Sequence, residues 1–129
     1  MMSSLFNKKA SCLPDCWCEL PRIDNFIVET ANTWSNVSFF LVAFMIYKRS
    51  NQASLFDLLA VFAFSFLGLG SIIFHASMSY FGQTLDVAGM YFLCTFFLFG
   101  LLRLDFRKNK YFFILIYFVF NFVIIGAAY

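Results

Sequence analysis

YFFILIYFVFNFVIIGAA, running from Tyr111 to Ala128, carries no Lys, Arg, Asp or Glu. About 18–20 predominantly apolar residues are what a helix needs to cross a bilayer. Three comparable runs precede it: Thr30–Tyr47, Leu55–His75 and Leu85–Leu102. Apolar residues fall on every side of these segments with no period of two, which predicts helices and argues against a β-barrel. The connections, Lys48–Ser54, Ala76–Thr84 and Arg103–Lys110, are short and polar, and both prolines (Pro14 and Pro21) lie before the first run. The expected fold is all-α: an integral-membrane helix bundle over residues 30–129, preceded by an extracytoplasmic segment, residues 1–29.

Composition leads to the same place. Of the 129 residues 62% are hydrophobic, 22% aromatic and 12% charged, with a mean hydropathy of +0.80. A soluble domain runs nearer 45–50% apolar and about 25% charged. A water-soluble globule of this size hides roughly two-thirds of its surface, too little for so many Phe, Leu and Ile residues. A soluble enzyme, a disordered tail and a nucleic-acid binder are excluded. The first 29 residues lack the apolar core and small-residue cleavage site of a signal peptide.

The net charge of +2 says little, so orientation rests on where the basic residues fall. Lys48 and Arg49 follow the first run, and Arg103, Arg107, Lys108 and Lys110 follow the third, whereas the loop between the second and third has none. By the positive-inside rule this places the N-terminus outside, against the mild dissent of Lys8, Lys9 and Arg22.

With that topology, the polar residues least at home in a membrane collect at the outer ends of the spans. Glu29, Asn32 and Asn36 are spaced to share one helix face, flanked by Thr33 and Ser35. Ser71 and His75 stand one turn apart at the end of the second span, and Gln83 and Asp86 open the third. Polar groups on separated segments, converging at one depth, read as a site. Plainer readings stand beside this one. Asp86 in a first turn is favoured by capping and the helix dipole. Ser71 can bond back to the Leu67 carbonyl or let helices approach closely. His75 can be an interfacial histidine, Glu29 a helix cap and Trp17 a headgroup-level aromatic. Gly68-Leu69-Gly70 follows no strand and reads as a packing surface. Cys12, Cys16 and Cys18 lie in the tail and Cys94 in the third span. The single residue between Cys16 and Cys18 is short for a zinc pair, and a disulfide from Cys12 to either suits an oxidising compartment.

Taken in order, CWCE (Cys16–Glu19), ETANTWSN (Glu29–Asn36) and GSIIFHASMSYFGQTLD (Gly70–Asp86) resemble the alkaline ceramidase family of membrane hydrolases, especially its bacterial ceramidase-like members. These are similar in turn to adiponectin and progestin receptors and to lipid hydrolases of GPI-anchor remodelling. The likeness runs from about Cys16 to the end of the third span, and its core is Ser71-x-x-x-His75 followed by Asp86. It implies a seven-helix bundle, of which four spans are expected here, and a zinc ion near one membrane face. On the same resemblance His75 would bind zinc, Asp86 would orient or deprotonate the attacking water, and Ser71 would polarise the substrate carbonyl. The other two zinc ligands of such enzymes come from a His-x-x-x-His on the last span. The substrate implied is the amide of a ceramide-like lipid, cleaved by a metal-activated water in a bacterial inner membrane, near its extracytoplasmic face.

The resemblance also implies a calcium site, matched by Trp17, Glu19 and Glu29. The leading Asp of that pattern is replaced by Cys16, with Asp15 one place off, and Asp24 or Asn25 stands near enough to add an oxygen. Calcium takes six to eight oxygen ligands. The zinc arithmetic departs further: a catalytic ion takes about three protein ligands, and the chain has one histidine. The expectation is an N-terminal part of a longer protein, inactive as it stands. The alternative reading is a non-catalytic lipid-binding or sensing bundle of the same superfamily.

Overall fold

In the computed structural model, which describes residues 19–22, 24–50, 54–102 and 109–128, the regular elements are all helices. In chain order they are α1 (Thr30–Ser35), α2 (Val37–Arg49), α3 (Leu55–Ser77), α4 (Tyr80–Leu101) and α5 (Lys110–Ala128). Helices α3, α4 and α5 are each long and apolar enough to cross a membrane. The protein is an integral membrane protein, as its composition requires. Trp17, Cys12, Cys16, Cys18 and the basic residues Arg103, Arg107 and Lys108 lie outside the described residues.

The run Thr30–Tyr47, expected as one span, is divided between α1 and α2. The break falls at Asn36, and its cause is local. The Asn32 carbonyl accepts from Ser35 Oγ and from Asn36 Nδ2, both at 2.8 Å, while the Asn36 backbone N–H turns to the Trp34 carbonyl. Side-chain donors have replaced the backbone bond that would have continued the helix. The pieces are 6 and 13 residues long, or about 9 and 20 Å at 1.5 Å per residue, so neither alone has a membrane's thickness.

Ser54 and Asp57 start α3 with a reciprocal capping box, in which each side chain satisfies a backbone N–H of the other residue. Ser50 Oγ also donates to Asp57 Oδ2, at 2.8 Å, so the same carboxylate fastens the end of α2 to the start of α3. At its other end α3 stops at Met78, which adopts a left-handed conformation (φ 46°, ψ 35°) with its side chain buried. Ser79 then caps α4 by accepting from the Gly82 N–H at 3.1 Å. Helix α4 therefore begins at Tyr80, earlier than the expected Leu85. The polar residues between are held inside the helix; Thr84 Oγ1, for instance, donates back to the Tyr80 carbonyl at 3.0 Å.

The two-residue turn makes α3 and α4 an antiparallel hairpin, the most extensive contact between the described helices. Within a bilayer apolar burial does little to drive helices together, so close packing and hydrogen bonds must do so. Glycines let the backbones touch. A Cβ on Gly89 would lie 2.6 Å from Leu67 Cα, and one on Gly70 would lie 2.7 Å from the Leu85 carbonyl oxygen. The packing-surface reading of Gly68–Gly70 is thus correct, with Gly70 as the residue at closest approach. Helix α5 joins α4 by polar bonds as well as by rings. Tyr117 Oη donates to the Phe92 carbonyl at 2.6 Å and Thr95 Oγ1 to Asn121 Oδ1 at 3.1 Å, while Asn121 Nδ2 donates to the Tyr117 carbonyl of its own helix at 2.8 Å. Tyr117 and Asn121 are both fully buried. Around them Phe92, Phe99, Phe113 and Phe118 pack in tilted and edge-on pairs, the favoured geometry for aromatic quadrupoles.

Gly89→Ala should destabilise the bundle by about 1–3 kcal/mol, the usual cost of overpacking, whereas Gly126→Ala, where a new Cβ meets nothing within 4 Å, should be neutral. Unfolding in mixed micelles by denaturing detergent compares the two.

Candidate functional site

Val28 and Glu29 lie across the end of α3. Their backbone N–H groups donate to the carbonyls of Ala76 and His75, at 3.1 and 3.0 Å. A helix leaves its last carbonyls without partners, and here the entering chain supplies them. The effect is to seat α1 beside the C-terminal turn of α3, where His75 emerges. Glu29 is the residue before α1, but its side chain caps nothing. The amides of α1 are met by Glu19 instead, whose Oε2 accepts from the N–H groups of Ala31 at 2.8 Å and Asn32 at 3.3 Å. Arg22 Nη2 lies 3.8 Å from the other Glu19 oxygen.

The Glu29 side chain turns inward and is 1% exposed. Its Oε2 lies 2.5 Å from His75 Nδ1 and accepts from Asn32 Nδ2 at 2.9 Å. The shared face read from the Glu29, Asn32, Asn36 spacing is therefore a real contact chain, since Asn36 Nδ2 donates to the Asn32 carbonyl in turn. From α4, Asp86 reaches the same cluster. The Ser71 hydroxyl and the His75 ring both stand close enough to the Asp86 carboxylate to act on it electrostatically. The tight contact at Gly70 puts the Leu85–Asp86 backbone directly against α3, which is why Ser71, the next residue, meets Asp86.

Two expectations need correcting. Asp86 is not in a first turn: α4 starts at Tyr80, so the N–H groups that reward a capping carboxylate are already behind it. Ser71 faces Asp86 across the helix pair, beside the close approach at Gly70. Sequence reasoning named Ser71, His75, Asp86 and Glu29 as members of one polar patch, and the structure brings all four together. It missed the direct pairing of Glu29 with His75, 46 residues apart, for which no local pattern exists.

The chemistry of the cluster is that of acceptors in excess. Glu29 Oε1 and Asp86 Oδ1 are buried with no hydrogen-bond partner, the two such side-chain atoms among the described residues. Leaving a buried polar atom unpaired costs about 1–3 kcal/mol, and more when it is charged. Such atoms fit a cation. For zinc, His75 offers Nε2 and Asp86 a free oxygen, donor types that suit the ion. They form part of a ligand set: among the described residues no group of three or more His, Cys, Asp or Glu is placed to hold a metal. For calcium the fit is poorer. Glu19 and Glu29 flank Asn32 but face different partners, Asp24 is exposed, and Trp17 is not described.

Comparison with known families finds one whose model, ceramidase, matches residues 15–129. No curated protein and no solved structure matches the chain.

Glu19→Ala should fray α1 alone. Losing a cap of this kind costs about 0.5–2 kcal/mol, and hydrogen exchange should quicken at the amides of Ala31 and Asn32 while those of α4 are unchanged.

Proposed function

The chain belongs to the ceramidase family, and from that premise we propose that its bundle carries the zinc-dependent amidase site of an enzyme that cleaves ceramide-like lipids. The contact between Ser71, His75 and Asp86, with a buried and unpartnered carboxylate oxygen among them, carries this reading. His75 would hold zinc through Nε2, the nitrogen that Glu29 leaves free. Zinc, when bound, supplies Lewis acidity and lowers the pKa of water to about 7.

The chain's own residues account for the proton movements. Asp86 is acceptor-rich, buried and has Oδ1 open, so it can take the proton of the attacking water and return it to the amide nitrogen as the C–N bond breaks. A positioned acid or base of this kind contributes about 10²–10⁴-fold. Ser71 is the neutral donor. Its hydroxyl, beside Asp86, would donate to the amide oxygen, and one such donor is worth about 2.7–4 kcal/mol in hydrolases.

Membrane depth suits this substrate. The cluster sits where α3 ends and α4 begins, and Phe26 and Trp34 beside it are 99% and 64% exposed, as aromatics at headgroup level are. A ceramide amide lies at that level. In this reading α1 and α2 together make a fourth crossing, and the N-terminus lies outside, in a bacterial inner membrane. Calcium is kept as a proposal on Trp17, Glu19 and Glu29, with no role in the proton movements.

Expressed from its complete reading frame and supplied with N-acylsphingosine in mixed micelles, the protein should release free fatty acid. His75→Ala should abolish both the release and the zinc found by elemental analysis. Asp86→Asn should retain the zinc but slow release by about 10²–10⁴-fold, the general-base contribution. Fatty-acid release unaffected by either change would remove the cluster from the reaction, and bound lipid without release would favour the lipid-sensing alternative. In a background with its native cysteines replaced, a thiol at Tyr80 should react with an impermeant reagent added outside and one at Asn109 should not; the reverse pattern overturns the orientation.

A further inference from the structure

Glu29 is ordinarily an expensive residue to bury beside a membrane span, since an ionised carboxylate away from water needs partners. Here it is 1% exposed, and the chain fixes it from several directions. Its backbone N–H is bonded to the His75 carbonyl, its carbonyl accepts from Thr33 Oγ1 at 2.6 Å, and its Oε2 accepts from Asn32 Nδ2. That same Oε2 is 2.5 Å from His75 Nδ1. The backbone bond and the side-chain bond join the same two residues, so the carboxylate cannot drift from the ring without α1 leaving the end of α3. His75 itself has few other restraints. Its side chain is 23% exposed, and its ring touches that of Phe74 at a centroid distance of 4.9 Å.

We propose that Glu29 is the positioning residue of His75: its carboxylate holds the proton of the neutral imidazole on Nδ1 and so directs the lone pair to Nε2. A carboxylate oxygen can only accept in this bond, and a neutral imidazole has one N–H. If Nδ1 donates, Nε2 is left as the acceptor. Histidines that ligate metals commonly donate their second nitrogen to a carboxylate, which fixes the ring and raises its basicity, and loss of that partner typically lowers metal affinity by 10–100-fold. The inference rests on the reading of His75 as a metal ligand for its purpose, but not for its geometry. Asn32 acts with Glu29 by orienting the carboxylate.

Labelling with ¹⁵N-histidine reports both ring nitrogens, and the His75 signals are identified as those that His75→Gln removes. Measured in micelles without metal, the wild type should show the proton on Nδ1, with its ¹H signal shifted downfield by the short bond, and a bare Nε2. Glu29→Gln keeps an acceptor without the charge; the tautomer should survive and the downfield shift shrink. Glu29→Leu removes the acceptor, and the proton should move to Nε2 or divide between the nitrogens. A wild-type ring carrying its proton on Nε2, or identical ring signals in the wild type and Glu29→Leu, would overturn the proposal. Zinc titration of the same samples separates this from the metal reading. If Glu29 positions a zinc ligand, affinity should fall about 10–100-fold in Glu29→Leu and less in Glu29→Gln. The expected tautomers with no zinc binding in any of the three would leave the Nδ1 pairing standing and sink the metal role.

Discussion

Everything at the polar end of the molecule depends on how near α3 lies to α4. At Gly70 and Gly89 a single added carbon would sit inside the contact distance of the facing backbone. Lipid offers no solvent to squeeze two apolar helices together, so the hairpin is held by surfaces that match at van der Waals distance. That closeness brings Ser71 within hydrogen-bonding reach of Asp86, because Ser71 follows the glycine in contact and Asp86 belongs to the peptide it contacts. If the helices separated by the width of a methyl group, the hydroxyl and the carboxylate would each need other partners where few exist.

The second constraint runs through the entering chain. Val28 and Glu29 complete the exposed carbonyls of α3, and Glu19 completes the exposed amides of α1. Helix ends, which are costly when left bare, are thus used as docking points for one another. A site built this way needs no loop of its own. The residue that satisfies a backbone carbonyl of His75 also presents a carboxylate to its ring, and ordering of α1 and ordering of the imidazole are a single event.

Much of this was legible in the sequence, for a physical reason. Long apolar runs leave few alternatives to a helix in a membrane, so α3 and α5 fall close to their expected limits. A histidine, an aspartate, a glutamate and a serine at the span ends were conspicuous because such residues are expensive there. What could not be read were the events decided by one hydrogen bond against another. The break at Asn36 depends on side chains winning the Asn32 carbonyl. The early start of α4 depends on Ser79 capping Gly82, whereas the polarity of Gln83 and Thr84 suggested a loop. The meeting of Glu29 with His75 is a tertiary contact without any periodic signature.

Polar residues within a membrane bundle are not all alike, and two buried clusters among the described residues show the difference. Between α4 and α5, the hydroxyls of Thr95 and Tyr117 and the amide of Asn121 each find an acceptor, and each bond stays within the pair of helices. That cluster is closed: with its polar atoms satisfied, it fastens the helices and asks for nothing more. Asn121, central to it, is as deeply buried as any described residue. The cluster of Glu29, Ser71, His75 and Asp86 is open. Two acceptor-only groups face a hydroxyl, an amide and one imidazole, and an oxygen on each carboxylate remains unpaired. Folding alone leaves those oxygens without partners, because they are already shut away from solvent. A fold that tolerates it gains where a cation or a proton in transit passes the same point, and both are what hydrolysis of a lipid amide would bring there.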